Sequence, residues 1–253
     1  MAKIVCVASG KGGVGKTTSV VNLGSALTKF GYDTIIIDGN VNTPDVGLHL
    51  GMPTTGTTFH DVLKGDKSIF ESVYVHPNGT KVVPSGINMW GLMKLSRNSI
   101  SKVQKLKEYC DVILVDCSPG INGEAEECIK ASDALLVVTN PDMPSTTNAL
   151  KTIMLARKHN KEVIGAIINK QEGKKFEMSK ANVEEFLGVP IISVIPEDDK
   201  VRKSLSERKT VVDAYPFSKA SVGFKKAAAH LMDQEYETIE KGLIERLINF
   251  LRR

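Results

Sequence analysis

The chain has 253 residues, of which 42% are hydrophobic and 25% are charged, a composition that can fill one large globular core. Its formal net charge of +4 is too small to imply a nucleic-acid partner by itself. No run of about 20 apolar residues is present, which excludes a predicted membrane-spanning helix. The N-terminus also lacks a signal-peptide pattern, so we expect a cytoplasmic protein.

The four cysteines, Cys6, Cys110, Cys117 and Cys128, do not form a C-x-x-C pair. That spacing would be expected of a metal or iron–sulfur site. Three of them border or lie in apolar runs, where a free cysteine is usually a small buried hydrophobic residue. We therefore predict reduced, buried thiols.

In chain order, six short apolar runs alternate with helix-like segments. The runs are rich in Val and Ile and do not alternate with polar residues, which is typical of strands buried on both faces of a parallel sheet. They read KIVCVAS, TIIIDG, VILVDC, ALLVVTN, VIGAIIN and PIISVIP. We predict an α/β fold with a doubly wound, mostly parallel sheet and helices on both faces. Ligands in such folds bind at the carboxyl ends of the strands.

The loop after the first strand reads GKGGVGKTT and matches the phosphate-binding pattern G-x-x-x-x-G-K-[ST]. Glycines in this pattern let backbone N–H groups turn toward phosphate oxygens, and the next helix presents its positive N-terminus to the anion. Lys16 would neutralise the β- and γ-phosphates, and the Thr17 hydroxyl would hold Mg²⁺. The residues expected to bind the nucleotide here are Gly10, Gly12, Gly13, Val14, Gly15, Lys16, Thr17 and Thr18.

The second strand ends in TIIIDGN, which places the carboxylate of Asp38 at the same edge of the sheet. Further along, TPDVG indicates a helix start at which Asp45 caps the helix or favours its dipole. The segment from 51 to 95 is less regular, and we predict a short helix near residues 59–63 and a hairpin through SVYV and TKVVPSG.

Lys11 is the second residue of the phosphate loop, and in GKGGVGKT it resembles the signature lysine of the MinD/ParA family, also called deviant Walker A ATPases. Taken alone, a lysine at this place is more often a solvated charge. In that family the lysine crosses to the partner subunit and contacts its nucleotide. The resemblance therefore implies ATP and ADP as ligands, with Mg²⁺, and a homodimer that forms with ATP.

The resemblance extends over nearly the whole chain and is greatest to the MinD branch. DVILVDCSPG is similar to the family's second carboxylate strand and switch loop, which implies that Asp116 lies near Mg²⁺ together with Asp38. TNPD, IINK and VIPED are similar to later family segments. They imply that Asn169 contacts the adenine and that Pro196 and Glu197 line the base pocket. The iron–sulfur relatives fit less well because paired cysteines are missing.

Position 40 departs from the MinD pattern, which commonly has a second Asp associated with the attacking water. Here it is Asn40, and an amide can orient a water molecule but cannot take its proton near neutral pH. Phosphoryl transfer depends mostly on positioning and charge neutralisation, so a missing base is not fatal. We predict an ATP hydrolase (ATP and water to ADP and phosphate) that is slow. Its expected catalytic residues are Lys11, Lys16, Asp38, Asn40 and Asp116.

The chain ends in EKGLIERLINFLRR, which has the pattern of an interfacial amphipathic helix with basic polar residues. A final helix packed on the core, or one that contacts a helical partner, would have the same pattern. MinD proteins end in a membrane-targeting helix at this place, so we divide the chain into an ATPase domain, 1–237, and a membrane-targeting tail, 238–253. The side chains expected to enter the membrane are Leu243, Ile244, Leu247, Ile248, Phe250 and Leu251.

The sequence thus predicts a MinD-like ATPase, peripheral on the cytoplasmic face of the cell membrane, which positions other proteins at a division site or a similar place. Its regulator or cargo protein is not identified by the sequence. Two alternatives stay open. One is a nucleotide-gated scaffold with negligible ATP turnover, which Asn40 favours. The other is a ParA-like partitioning ATPase that binds DNA, although the membrane-type tail argues against DNA as a partner.

Overall fold

The computed structural model describes residues 2–52, 56–86 and 102–236. The strands of this part are β1 (Lys3–Ala8), β2 (Thr34–Asp38), β3 (Tyr74–Val75), β4 (Lys81–Val83), β5 (Val112–Asp116), β6 (Ala134–Thr139), β7 (Glu162–Gln171) and β8 (Ile191–Pro196). They form one eight-stranded sheet in the order β3-β4-β2-β5-β1-β6-β7-β8. Only the pairing of β3 with β4 is antiparallel among these strands.

The helices cover both faces of the sheet. In the described residues they are α1 (Lys16–Lys29), α2 (Val46–His49), α3 (Phe59–Lys64), α4 (Gly123–Ala131), α5 (Met143–Lys158), α6 (Lys180–Leu187), α7 (Asp199–Ser206), α8 (Val211–Ala214) and α9 (Lys219–Leu231). Two short 3₁₀ helices, Ile69–Ser72 and Lys105–Tyr109, complete the set.

Two hydrophobic cores lie on opposite sides of the sheet. One packs α3, α4, α5 and α6 against the sheet, and the other packs α1, α2, α8 and α9. Successive strand residues point to opposite faces, so Ile35 and Ile37 enter the first core while Ile36 enters the second. This two-sided burial explains the unbroken apolar runs in the sequence, and it confirms the predicted doubly wound fold.

Most helices start at a side-chain cap that satisfies an otherwise free backbone N–H group. Asn122 accepts from Ala125 N at the start of α4, and Asp142 accepts from Ser145 N at the start of α5. Helix α1 is different, because it begins after Gly15 with no side-chain cap. Its first N–H groups are therefore available to an anionic ligand.

A buried polar junction fixes α8 against α1. Asp213 accepts hydrogen bonds from Ser25, Asn78 and Thr210, and its other carboxylate oxygen lies 2.9 Å from Lys29 Nζ. Although burial by itself raises the pKa of Asp213, these hydrogen bonds and the Lys29 charge outweigh burial and lower it.

Part of the irregular segment, residues 51–95, has the structure that the sequence predicts. The predicted short helix is α3, and the predicted hairpin is the β3–β4 pair. The boundary at 237 and the predicted membrane-targeting tail lie outside the described residues. Among the helices that are described, none is long and apolar enough to cross a bilayer.

Candidate nucleotide-binding site

The phosphate loop connects β1 to α1 at the carboxyl edge of the sheet. Gly13 and Gly15 have φ of 80° and 87°, in the left-handed region that favours glycine. A different constraint acts at Gly10, since a Cβ atom there would lie 2.1 Å from the backbone of Asn148 on α5. The loop is thus a close-fitting turn in which Gly13 and Gly15 are required by conformation and Gly10 by packing.

Lys16 and Thr17, the first residues of α1, both reach the end of β5. Lys16 Nζ is hydrogen-bonded and ion-paired to Asp116 Oδ1, and Thr17 Oγ1 donates to Asp116 Oδ2 at 2.7 Å. Burial by itself lowers the pKa of Lys16, but the charge and hydrogen bond of Asp116 outweigh burial and raise it. Lys16 therefore supplies a permanent positive charge at the bottom of the site.

Asp38, at the end of β2, lies directly beside Asp116 in the sheet register. It is fully buried and accepts hydrogen bonds from Asn40 N at 3.2 Å and Val46 N at 3.1 Å. Burial raises its pKa well above the usual range, and the neighbouring charge of Asp116 raises it further. The helix start predicted at TPDVG is correct, but Asp45 makes no capping hydrogen bond, and Asp38 accepts from Val46 N instead.

These residues fit a magnesium ion by the chemistry of their donor atoms. Thr17, Asp38 and Asp116 bring a hydroxyl group and two carboxylates to one edge of the sheet, and Mg²⁺ prefers such oxygen ligands. The two buried carboxylates face one buried cation, Lys16, so a further positive charge would offset their repulsion.

Two adjoining cavities open over this edge. The first, of about 320 Å³, is lined by the phosphate loop, by Asn40, Thr43, Asp45 and His49, and by Pro119 and Lys170. The second, of about 190 Å³, is lined by residues that include Asn169, Pro196 and Glu197. Because Gly15, Thr18 and Lys170 line both cavities, a ligand with a phosphate chain and a base can occupy the two together.

The sequence model of the CobQ/CobB/MinD/ParA nucleotide-binding domain matches residues 5–211, which include the whole of this site. The chain belongs to this family. A curated relative, an ATP-binding protein of Methanocaldococcus jannaschii described as uncharacterized, is 34% identical over 98% of this chain and 95% of its own length.

Solved MinD structures share the fold of this family member. The cell division ATPase MinD of Pyrococcus furiosus has a TM-score of 0.88 and 28% identity, covering 92% of this chain and 99% of that one. The septum site-determining protein MinD of Pyrococcus horikoshii, in complex with Mg-ADP, has a TM-score of 0.87 and 29% identity, covering 91% and 96%. The resemblance to the MinD branch is therefore confirmed.

Within this MinD/ParA fold, the predicted base-pocket residues are brought together. Asn169 Nδ2 donates to Val14 O at 2.7 Å, so the side chain also holds the phosphate loop. Glu197 is ion-paired with Arg202 of α7 at 2.8 Å. Lys11 is separate from this cluster. It is exposed, and among the described residues its side chain makes no hydrogen bond or ion pair.

The cysteines behave as the sequence predicts. All four are free, and Cys6, Cys117 and Cys128 are buried in the core shared by α3, α4, α5 and α6. Burial raises the pKa of the Cys6 and Cys117 thiols, and that of Cys110 to about 11. In the described part of the chain, no group of three or more His, Cys, Asp or Glu side chains is arranged to hold a metal ion.

Several site residues were missed by the sequence reasoning. His49 lines the phosphate cavity, with Nε2 3.4 Å from Thr18 Oγ1 and Nδ1 2.9 Å from Asp45 O. Lys170 donates to Gly13 O at 2.8 Å from a backbone with φ of 56°. His49 belongs to no motif that the sequence showed, and Lys170 ends the IINK segment without having been given a role there. The helical spacing between Asp45 and His49 was the one signal that could have placed His49 near the site.

Proposed function

We propose that this chain is a MinD-like ATPase that binds ATP with Mg²⁺, dimerises on ATP binding and reversibly associates with an anionic membrane surface. In this way it would position other proteins on the cytoplasmic face of the membrane. The observation that supports the proposal most is the meeting of Lys16, Thr17, Asp38 and Asp116 below a cavity that continues into a second, base-sized cavity.

In this proposal the uncapped N-terminus of α1 and the phosphate loop bind the phosphates, while Asn169, Pro196 and Glu197 bind the base. Lys16 exchanges its contact with Asp116 for one with the β- and γ-phosphates. Thr17, Asp38 and Asp116 would hold Mg²⁺, whose charge supplies neutralisation of the phosphate oxygens when it is bound. Isothermal titration with Mg-ADP and Mg-ATP tests this, and binding lost in Lys16→Met is the expected result.

Hydrolysis is proposed to be slow, because Asn40 cannot accept a proton at neutral pH. The Asn40 amide is also bonded within the protein, with Nδ2 donating to Thr43 O and Oδ1 accepting from Thr43 Oγ1 at 3.0 Å. A steady-state ATPase assay separates this proposal from a nucleotide-gated scaffold. Turnover above the background of a Lys16→Met control supports the enzyme, and turnover equal to it supports the scaffold.

The ATP-dependent homodimer is supported by the free position of Lys11 beside apolar side chains. Ile121, Met143 and Phe176 are 54%, 52% and 85% exposed, and they follow the carboxyl ends of β5, β6 and β7. They therefore surround the same edge of the sheet as the phosphate loop. A second copy would bury these apolar groups and bring its own Lys11 to the nucleotide.

Membrane association rests on the amphipathic pattern of the tail and on multivalency, since two weak helices on one dimer gain avidity. Sedimentation with anionic liposomes tests it with three samples: the chain with ATP, the chain with ADP, and a chain truncated before Leu243. We expect pelleting only in the first sample. Equal pelleting in all three would overturn the membrane proposal.

DNA binding is a second candidate because two basic segments that are separate in the sequence each contact an aromatic residue of the segment between α8 and α9. Lys200 and Lys203 of α7 lie 4.9 and 5.6 Å from the ring centre of Tyr215, and Lys225 of α9 lies 5.8 Å from that of Phe217. This basic and aromatic surface can face an anionic polymer. A salt-dependent shift of duplex DNA only with ATP would support this candidate.

A further inference from the structure

A polar network, buried at Asn40 and Ser118 and half-buried at Glu124, joins the loop after β2 to the loop after β5. Ser118 Oγ lies 3.1 Å from Asn40 Oδ1 and 2.5 Å from Glu124 Oε2. Glu124 belongs to the first turn of α4, and its other carboxylate oxygen accepts from Asn42 Nδ2. The carboxylate of Glu124 therefore contacts both loops that border the phosphate cavity.

At the centre of the network, two oxygen acceptors share one hydroxyl donor, Ser118. The Ser118 hydroxyl group has one proton, and two acceptors lie within hydrogen-bond distance of it. Ser118 and Asn40 are 2% and 4% exposed, and Glu124 is half-buried, so these two acceptors compete for the Ser118 proton inside the protein. A charge-assisted hydrogen bond to a carboxylate is about twice as strong as one to a neutral group, so the Ser118 hydroxyl group donates to Glu124 in preference to Asn40.

Thr43 fixes the orientation of the Asn40 amide. Its hydroxyl donates to Asn40 Oδ1 at 3.0 Å, and its carbonyl oxygen accepts from Asn40 Nδ2. The Asn40 amide oxygen is thereby held facing Ser118. It still accepts a hydrogen bond from Thr43 Oγ1 when the Ser118 hydroxyl group donates to Glu124. A neutral amide tolerates this arrangement, whereas a carboxylate at position 40 would lose the bond to Thr43 O.

We propose that Glu124 is the acidic positioning residue of the hydrolytic site and that it acts on Asn40 through the single proton of Ser118. The inference rests on the proposed ATPase function. Asn40 and Thr43 line the phosphate cavity, while Glu124 and Ser118 stand behind them. Glu124 thus sets the position of the cavity wall without touching the ligand, and the amide at position 40 accepts from the same hydroxyl group without adding a second carboxylate.

Coupled substitutions at the two positions test this pairing. In Asn40→Asp, two carboxylates compete for one Ser118 proton, and we expect single-turnover hydrolysis no faster than that of the unaltered chain. Adding Glu124→Gln removes the competing charge and leaves the proton to Asp at position 40. We expect the double variant to hydrolyse ATP at least about tenfold faster than Asn40→Asp alone, within the range found for contacting residues. Glu124→Gln alone is expected to be slower than the unaltered chain.

The rates are measured at saturating Mg-ATP, well below the unfolding temperature of every variant. Under these conditions a merely structural pair would show its coupling in the unfolding midpoint and in nucleotide affinity, and not in the hydrolysis rate. Glu127→Gln is the matched control, because Glu127 lies on the same helix with its carboxylate 2.9 Å from Lys130 Nζ. This control is expected to hydrolyse ATP at the unaltered rate.

Two negative outcomes are distinguishable. In the first, the unaltered chain hydrolyses ATP, and Asn40→Asp changes the rate by the same factor whether position 124 is Glu or has been changed to Gln. The pairing of Glu124 with Asn40 is then wrong, and the ATPase proposal stands. If all four proteins bind ATP and none hydrolyses it, the ATPase proposal is wrong, and the positioning of hydrolysis by Glu124 is overturned with it.

Discussion

Lys16 and Asp116 are bonded to each other at the bottom of the phosphate cavity. One is the residue expected to neutralise the phosphates, and the other is expected to face the metal ion. Both side chains are buried, at 6% and 0% exposure. Each group therefore satisfies the charge of the other, and ligand binding must exchange this contact for new ones.

Among the described residues, Lys16→Met leaves the buried carboxylate of Asp116 with only the Thr17 hydroxyl as a side-chain donor. Removing one member of a buried ion pair costs about 3–5 kcal/mol, because an uncompensated charge remains. We expect the free energy of unfolding of the nucleotide-free protein to fall by this amount in urea titrations at pH 7. The double variant Lys16→Met/Asp116→Asn should regain part of the loss, and an unchanged midpoint in Lys16→Met would contradict the pairing.

Lys11→Ala should abolish ATP-dependent dimerisation while leaving folding and ADP binding intact. Because the exposed Lys11 side chain makes no hydrogen bond or ion pair among the described residues, its removal should leave the unfolding midpoint and the affinity for ADP unchanged. Sedimentation velocity with ATP should then show a monomer, where the unaltered chain shows a dimer. Lys151→Ala, another exposed lysine, is the control, and a Lys11→Ala dimer of normal stability would disprove the proposed intersubunit contact.

Two glycines of the phosphate loop should respond differently to the same added methyl group. Gly10→Ala would place Cβ 2.1 Å from Asn148 carbonyl atoms, while Cβ at Gly12 would meet no atom within 4 Å. We expect Gly10→Ala to destabilise the protein by about 1–3 kcal/mol, as overpacking does, and Gly12→Ala to change stability little. Thermal unfolding of the two nucleotide-free variants measures the difference, and equal midpoints would mean that α5 moves freely away from the loop.

Asp213→Asn should make stability less sensitive to acid. The pKa of Asp213 is lowered in the folded state, so its ionised form stabilises the protein above the pKa of an unfolded Asp, about 3.9. This contribution is lost as the pH falls through the lower folded-state value. We expect Asp213→Asn to cost about 1.5–3 kcal/mol at pH 7, from hydrogen bonds to a charged group, and less toward pH 3. Urea titrations at both pH values test it, and a constant difference would contradict the pKa shift.

The sequence predicted those parts of the molecule whose residues carry a local signal. The consecutive isoleucines of β2 indicate a strand buried on both faces, and the glycines with Lys16 identify the phosphate loop. The fold, and the location of the site at the carboxyl edge of the sheet, could therefore be predicted from the sequence alone. Asn40 was recognised as unusual, but its partners Ser118 and Glu124 were not. They lie 78 and 84 positions away along the chain, and the contact exists only because β2 and β5 are neighbours in the sheet.

Asp45 is the N-cap residue of α2 but makes no side-chain capping hydrogen bond, for a related reason, and its interaction with the helix dipole stays a prediction. Local sequence placed an acidic residue before α2, but the acceptor for Val46 N is Asp38, which the preceding turn brings back to the helix start. Such a choice between two nearby carboxylates depends on loop geometry, which residue types do not encode. His49 was missed because it belongs to no motif, and Lys170 was missed because the IINK segment drew attention only to Asn169, while the fold brings both side chains to the cavity.

Strand β3, the antiparallel partner of β4, limits aggregation of the protein through this edge of the sheet. A long exposed edge strand offers unpaired backbone groups on which another chain can assemble into fibrils. At this edge β3 is two residues long, and Pro77 follows it closely in the chain. Such a strand offers too short a template for cross-β growth, so an otherwise large parallel sheet is protected at that border from unselective aggregation.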